Sequence, residues 1–177
     1  NLRLAYNPQS EMCRACRAIA ECKERDTISP DKWIKGMIEK VKAARLCNTG
    51  VEVCAMPHEA VEYCNSNDLK IADNPIILTD VRLSHALRPS KVLRGASVSE
   101  DEMIQMRSNI RESHIYWDTR SENLLFIYEN GDRVIKYVIS PHYTAKVDGE
   151  QVTAPFLITA GVITKGNMNQ REYIKVK

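Results

Sequence analysis

Leu-Leu-Phe-Ile-Tyr-Glu-Asn-Gly-Asp-Arg-Val-Ile-Lys-Tyr-Val-Ile-Ser, residues 124–140, is the stretch on which the fold turns. Asn130-Gly131 separates two runs rich in β-branched and aromatic residues. Both positions tolerate the positive φ of a type I′ turn, so this is the strongest hairpin signal in the chain. The spacing predicts strands over 124–129 and 133–140. Asp148-Gly149 predicts a second hairpin, from 143–147 to 150–153. A long strand over 156–164 and a last edge over 173–176 continue the meander, and a short strand over 114–117 precedes it.

Period-two alternation assigns faces within those strands. Lys136 shares a face with Val134 and Val138. Arg133 goes with Ile135, Tyr137 and Ile139. Thr159 goes with Leu157, Gly161 and Ile163.

Before the strands the period changes to helical. Ser99 and Glu102 fit a capping box, and Val98 with Met103 fits a hydrophobic staple, for a helix running to about Ile110. Further back, residues 79–95 hold Arg82, Arg88, Lys91 and Arg94 against one acid, Asp80. Thr79 or Asp80 caps a short helix, and Pro89 ends it near Arg88. Leu83 and Leu87 lie one turn apart, on the face turned to the core. Arg82, His85 and Arg88 step by three along a neighbouring face. A titratable imidazole beside guanidiniums is the set needed to cleave or grip a phosphodiester.

The first part of the chain reads as helical. One helix is predicted over 9–23. A second starts at Ser29-Pro30-Asp31 and carries Trp33, Met37, Val41 and Ala44 as its stripe, until Asn48-Thr49-Gly50 stops it. A third covers about 57–65. All six cysteines lie here: Cys13, Cys16, Cys22, Cys47, Cys54 and Cys64. Three readings stay open for them: a zinc site begun by Cys13-x-x-Cys16, disulfides between helices, or buried thiols. Asn74-Pro75 marks the expected division, with a helical docking region over 1–74 and an α+β domain over 75–177. The fold class is α+β, with helices packed on one face of an antiparallel meander and the other face free for a ligand.

Composition narrows the function classes. The apolar fraction, 44%, suffices for a core, and 27% charged residues fit a water-exposed surface. A net charge of +2 confines any nucleic-acid surface to a local patch. No apolar run approaches a membrane span, so no membrane partner is expected. A start at Asn1 without Met, and with no signal-peptide pattern, reads as a piece of a longer chain.

The order of a His-bearing helix, basic loop, capped helix and meander resembles the phage-associated branch of the barnase, EndoU, colicin and RelE nuclease superfamily. The residues that carry the likeness are Leu-Ser-His-Ala-Leu-Arg-Pro-Ser-Lys (83–91), then Ser-Glu-Asp-Glu, then His-Ile-Tyr-Trp-Asp and Leu-Leu-Phe-Ile-Tyr. It covers about residues 75–165. The resemblance implies a toxin-like domain, often joined to phage head-morphogenesis or polyvalent proteins, that cleaves RNA without a metal or other cofactor. It implies His85 as acid/base, with Lys136 and Thr159 as the catalytic strand residues. Arg82, Arg88, Lys91 and Arg94 would hold phosphate, with Arg133 in reserve. His142, expected in a loop, is a second acid/base candidate, while His58 and His114 read as structural. The implied partners are RNA, an inhibitor protein and a phage structural protein. Such an enzyme acts in the cytoplasm, whether virion-associated or delivered. A nucleic-acid-binding module without catalysis, or a virion assembly domain, is the alternative.

Overall fold

The computed structural model describes residues 29–177. The helix expected over 9–23, and with it Cys13, Cys16 and Cys22, lies outside the described residues. The elements run α1 (Pro30–Lys42), β1 (Gly50–Cys54), α2 (His58–Ser66), β2 (Ile76–Thr79), α3 (Asp80–Leu87), α4 (Pro89–Val92), α5 (Glu100–Ile104), α6 (Met106–Glu112), β3 (His114–Asp118), β4 (Asn123–Asn130), β5 (Arg133–Val147), β6 (Glu150–Ile163) and β7 (Tyr173–Lys175), with a 3-10 turn at Lys165–Met168 before β7.

The strands form one seven-stranded sheet in the order β1-β2-β6-β5-β4-β3-β7. Every pair is antiparallel except β2–β6, which is parallel through Ile77 and Phe156. The molecule is therefore mixed α+β, as the sequence predicts, but the sheet is wider than the meander. Neither β1 nor β2 is legible in the helix-and-turn reading of residues 29–78. Gly50 does not stop a helix. α1 ends at Lys42, Ala44 takes the left-handed conformation (φ 54°), and Gly50 opens β1. A Cβ at Gly50 would lie 2.4 Å from Val147 Cγ1, so the glycine allows β1 to pass close to the end of β5.

One face of the sheet carries the main core. Ile34, Met37 and Ile38 from α1, Cys64 from α2, Leu83 and Ala86 from α3, Met103 from α5 and Ile110 from α6 meet Val53, Leu78, Ile115, Phe126, Tyr137 and Leu157. The core thus runs across Asn74–Pro75. That turn separates α2 from β2, yet residues on both sides share the sheet and the core. The opposite face is not bare. Leu125, Ile127 and Val134 are buried there against Met168 and Tyr173, and Ile77, Phe156, Val147 and Ala154 make a smaller cluster farther along.

The predicted caps form. Thr79 Oγ1 accepts from the Arg82 amide at α3. Ser99 and Glu102 make the full capping box at α5, with Val98 and Met103 both buried. The helix that follows is broken at Gln105 into α5 and α6. The first hairpin differs from the expected type I′ turn at Asn130-Gly131: Asn130 pairs with Arg133, so the loop is Gly131-Asp132, and of these only Gly131 has positive φ (60°). At the second, Asp148 (50°) and Gly149 (92°) both have positive φ, as type I′ requires.

Two bulges alter the strand reading. β5 runs unbroken through Pro141-His142, where its pairing with β6 shifts between Ser140 and Tyr143. A proline without an N–H is tolerated at such a bulge. His142 is thus an exposed strand residue, not a loop residue. In β6, Val138 faces Thr159 and Ile139 faces Leu157, which leaves Ile158 as the extra residue.

The described cysteines are free thiols: Cys47 exposed, Cys54 partly buried, Cys64 buried. Burial raises the Cys54 and Cys64 thiols above their ordinary range, which Arg111 and Arg107 offset in part at Cys54.

Candidate functional site

The bulge at Ile158 decides the site. Without it Thr159 would share a face with Leu157, as strict alternation predicts. With it, Leu157 is fully buried in the main core, while Thr159 joins Gly161 and Lys136 on the face opposite the helices. Lys136 faces Gly161 across the β5–β6 pair, and Val138 faces Thr159. On its β6 side Lys136 therefore has Gly161 opposite and Thr159 diagonally beyond, while Ile127 lies opposite it on β4.

The chain after α3 brings in the cations. Arg88 is extended (φ −62°, ψ 144°), as expected before Pro89, and α4 starts at that proline. Gly95, in the left-handed conformation (φ 63°), turns the chain back. The Ala96 amide then donates to the Lys91 carbonyl at 2.9 Å, and the Ala96 carbonyl accepts from Val162 N at 3.1 Å. Residue 96 thus covers the edge of β6 beyond the reach of β2. Gly161 makes the approach feasible, because a Cβ there would lie only 3.2 Å from the Ala96 carbonyl oxygen.

Lys91 Nζ donates to Thr159 Oγ1 at 2.7 Å and to the Ala160 carbonyl. With Arg94, Ala96, Lys136, Val138, Gly161 and Val162 these residues line a shallow pocket of about 220 Å³. None of the lining residues is acidic. Burial, then the charges of Arg88, Arg94 and Lys136, pull the Lys91 ammonium below the ordinary lysine range. Lys136 Nζ also lies 6.0 Å from the centre of the Tyr173 ring, a long cation–π approach. Two larger hollows, of about 530 and 440 Å³, lie beside Met56 and Ile71 and beside Trp117 and His142. Size does not choose among them. Of these three, the 220 Å³ pocket gathers two lysines and an arginine with no lining carboxylate.

The expected site residues divide accordingly. Lys91, Arg94, Lys136 and Thr159 come together, and Arg88 adds its field. His85 is exposed on α3 and does not line the pocket, nor does a hydrogen bond or ion pair tie it to another described residue. Arg82 points its charge elsewhere, donating to Tyr143 Oη at 3.0 Å with its guanidinium 5.2 Å from the ring centre. Arg133 is committed to structure. It pairs with Glu102 through two bonds, one of them 2.9 Å, and donates to the Ser97 carbonyl at 3.0 Å. Its alternation partners Ile135, Tyr137 and Ile139 are in the main core, so Arg133 lies at the helix-covered face and away from Lys136. His142 lies by Pro141 in the hollow next to Trp117. His58 approaches Glu62 at 3.9 Å on the surface of α2, and His114 is exposed at the start of β3.

Two residues that sequence reading misses are Gly161, which permits the close approach of Ala96, and Tyr143, which receives Arg82. An isolated glycine in a strand is a known sign of close backbone approach. No local signal marks Tyr143. Comparison with protein-family models, with curated proteins and with solved structures returned no match for this chain.

Proposed function

We propose that this chain is a metal-independent endoribonuclease of the toxin type, on a barnase- and RelE-like sheet, whose Lys91–Lys136 pocket holds the scissile phosphate of RNA. The observation that carries the reading is the convergence of Lys91, Arg94, Lys136 and Thr159, from three separate segments, with no lining carboxylate. Such a pocket favours an anion. A phosphodiester suits it, because negative charge on the non-bridging oxygens grows in the pentacoordinate transition state and fixed cations then bind more tightly.

In the proposed reaction the ribose 2′-oxygen bonds to phosphorus while the bond to the 5′-oxygen breaks. The 2′ proton passes to a base, a proton goes to the departing oxygen, and a cyclic phosphate remains. Lys91, with its lowered pKa, is the proton-exchanging group inside the pocket. Lys136 and Arg94 hold the non-bridging oxygens, and the Thr159 hydroxyl orients Lys91. His85, one helix before, is the competing acid/base. RNA and an inhibitor protein are the partners that go with this reading.

The experiment is cleavage of total RNA or tRNA in EDTA, with analysis of product ends. Cleavage that persists and leaves cyclic phosphate is expected. Activity that disappears in EDTA and returns with magnesium would favour a metal-dependent nuclease instead. A second reading, nucleic-acid binding without catalysis, is favoured by the same geometry in one respect. Lys91 already donates to Thr159 and Ala160, and His85 does not line the pocket. Salt-sensitive RNA binding with no product under any condition would select it.

A further inference from the structure

We propose that Tyr143, braced by Arg82, is a nucleobase-stacking subsite that makes the protein favour unpaired over duplex RNA; the proposal rests on the phosphate-pocket reading above. Tyr143 faces Ala154 on β6 and lies in contact with Phe156, ring centres 5.7 Å apart and edge-on at 69°. Phe156 and Ala154 belong to the cluster opposite the main core, so Tyr143 stands on the same sheet face as Lys136 and Thr159. Tyr143 is 36% exposed, one of the few large hydrophobic side chains among the described residues left open to solvent.

The ring is held from two sides. Phe156 packs against it in a T-shaped contact. Arg82, reaching from α3, donates to its hydroxyl at 3.0 Å and brings a cation 5.2 Å from its centre. An aromatic ring fixed in this way stacks a base at little cost in ordering, and a neighbouring guanidinium adds both a stacking plane and a charge for the backbone. From Ala154 to Thr159 is about five residues of β6, roughly 16 Å at the usual strand rise. The base that reaches Tyr143 therefore belongs to a nucleotide farther along the strand than the one whose phosphate fills the pocket. A duplex keeps its bases stacked on one another and cannot present one to the ring.

Fluorescence anisotropy with single-stranded and double-stranded RNA of equal length tests this on the whole chain. Tyr143→Ala should weaken single-strand binding by roughly 5- to 150-fold, the equivalent of ~1–3 kcal/mol per stacked base, and leave duplex binding unchanged. Tyr143→Phe keeps the ring and should stay near wild type; Tyr143→Trp should match or exceed it. Circular dichroism on each variant separates loss of fold from loss of stacking. Equal loss on both RNAs, no loss on either, or loss in the Trp variant as large as in the Ala variant would overturn the subsite. Lys136→Ala supplies the separate control: it should weaken both RNAs alike. If Lys136→Ala changes neither RNA while Tyr143→Ala acts as expected, the pocket reading fails and the stacking surface stands.

Discussion

Lys91 is the residue on which the chemistry is most exposed to test. Its ammonium donates to Thr159, and burial together with the charges of Arg88, Arg94 and Lys136 lowers its pKa below the ordinary lysine range. The sign of the pH effect follows. On the proposed reading it is the charged form that binds phosphate, so the Lys91 contribution would be full below its folded pKa and lost as pH rises through that value, earlier than for a solvent-exposed lysine. Lys91→Ala should weaken RNA binding and reduce the slope of log affinity against log salt by about one phosphate contact. Lys91→Arg keeps a charge but cannot give up its proton. If Lys91 moves protons, Arg should hold RNA yet cut on the order of 10²–10⁴ more slowly. His85→Ala is the matching test. A variant that binds RNA but no longer cleaves it, with Lys91→Arg still active, would hand the acid/base role to His85.

At the scale of elements, α5 alone among the described helices starts on a full capping box. Ser99 Oγ accepts from the Glu102 amide at 3.1 Å, and Glu102 accepts from the Ser99 amide at 2.6 Å while holding Arg133 of β5. Ser99→Ala should cost about 1 kcal/mol, the usual loss for a cap, read as a lowered denaturant midpoint. Glu102 adds a pH signature. Burial pushes its carboxyl up, but the Arg133 and Ser99 bonds outweigh that and hold it below the ordinary range. A depressed carboxylate stabilises fully above its unfolded pKa, and that stability is lost as pH falls through the folded value. Arg133→Ala should therefore move the acid-unfolding midpoint upward, whereas at neutral pH its exposed side limits the loss.

These elements also show what the sequence makes legible. Caps, the proline stop at α3 and the positions of the two hairpins are local signals, readable within four residues, although the first turn falls one residue later than expected. Lys136 and Thr159 were reachable by alternation, although the phase for Thr159 fails at Ile158, where one unpaired residue switches the face. No pattern announces that bulge. The capture of Arg133 by Glu102 joins residues 31 apart, and α5 must already be placed before it can be read. β1 and β2 are hidden for another reason. Five and four residues are too short for periodicity to separate a strand from the loop beside a helix.

For the whole molecule, the main core predicts that residues 75–177 do not stand alone. Removing residues 1–74 strips Ile34, Met37, Ile38, Val51, Val53, Ala60 and Cys64, each at most 9% exposed, from Leu78, Leu83 and their neighbours. Such a fragment should lose the cooperative unfolding transition of the parent and be digested quickly by a nonspecific protease; a sharp thermal transition for it would show that the core divides at residue 74. The parallel β2–β6 contact has a consequence in time. Ile77 and Phe156 are far apart in sequence, and pairing them must close a long loop, whereas β5 and β6 meet through a two-residue turn. The hairpin is expected to form first and the β2–α3–α4 segment to dock last. Lys91 and Arg94 ride on that late segment, and Lys136 and Thr159 on the early hairpin. A chain still leaving the ribosome, or one threaded unfolded through a pore, would carry all four residues and no pocket. Stopped-flow refolding should then show RNA binding appearing only with the slowest phase, after the β-sheet signal has begun to rise.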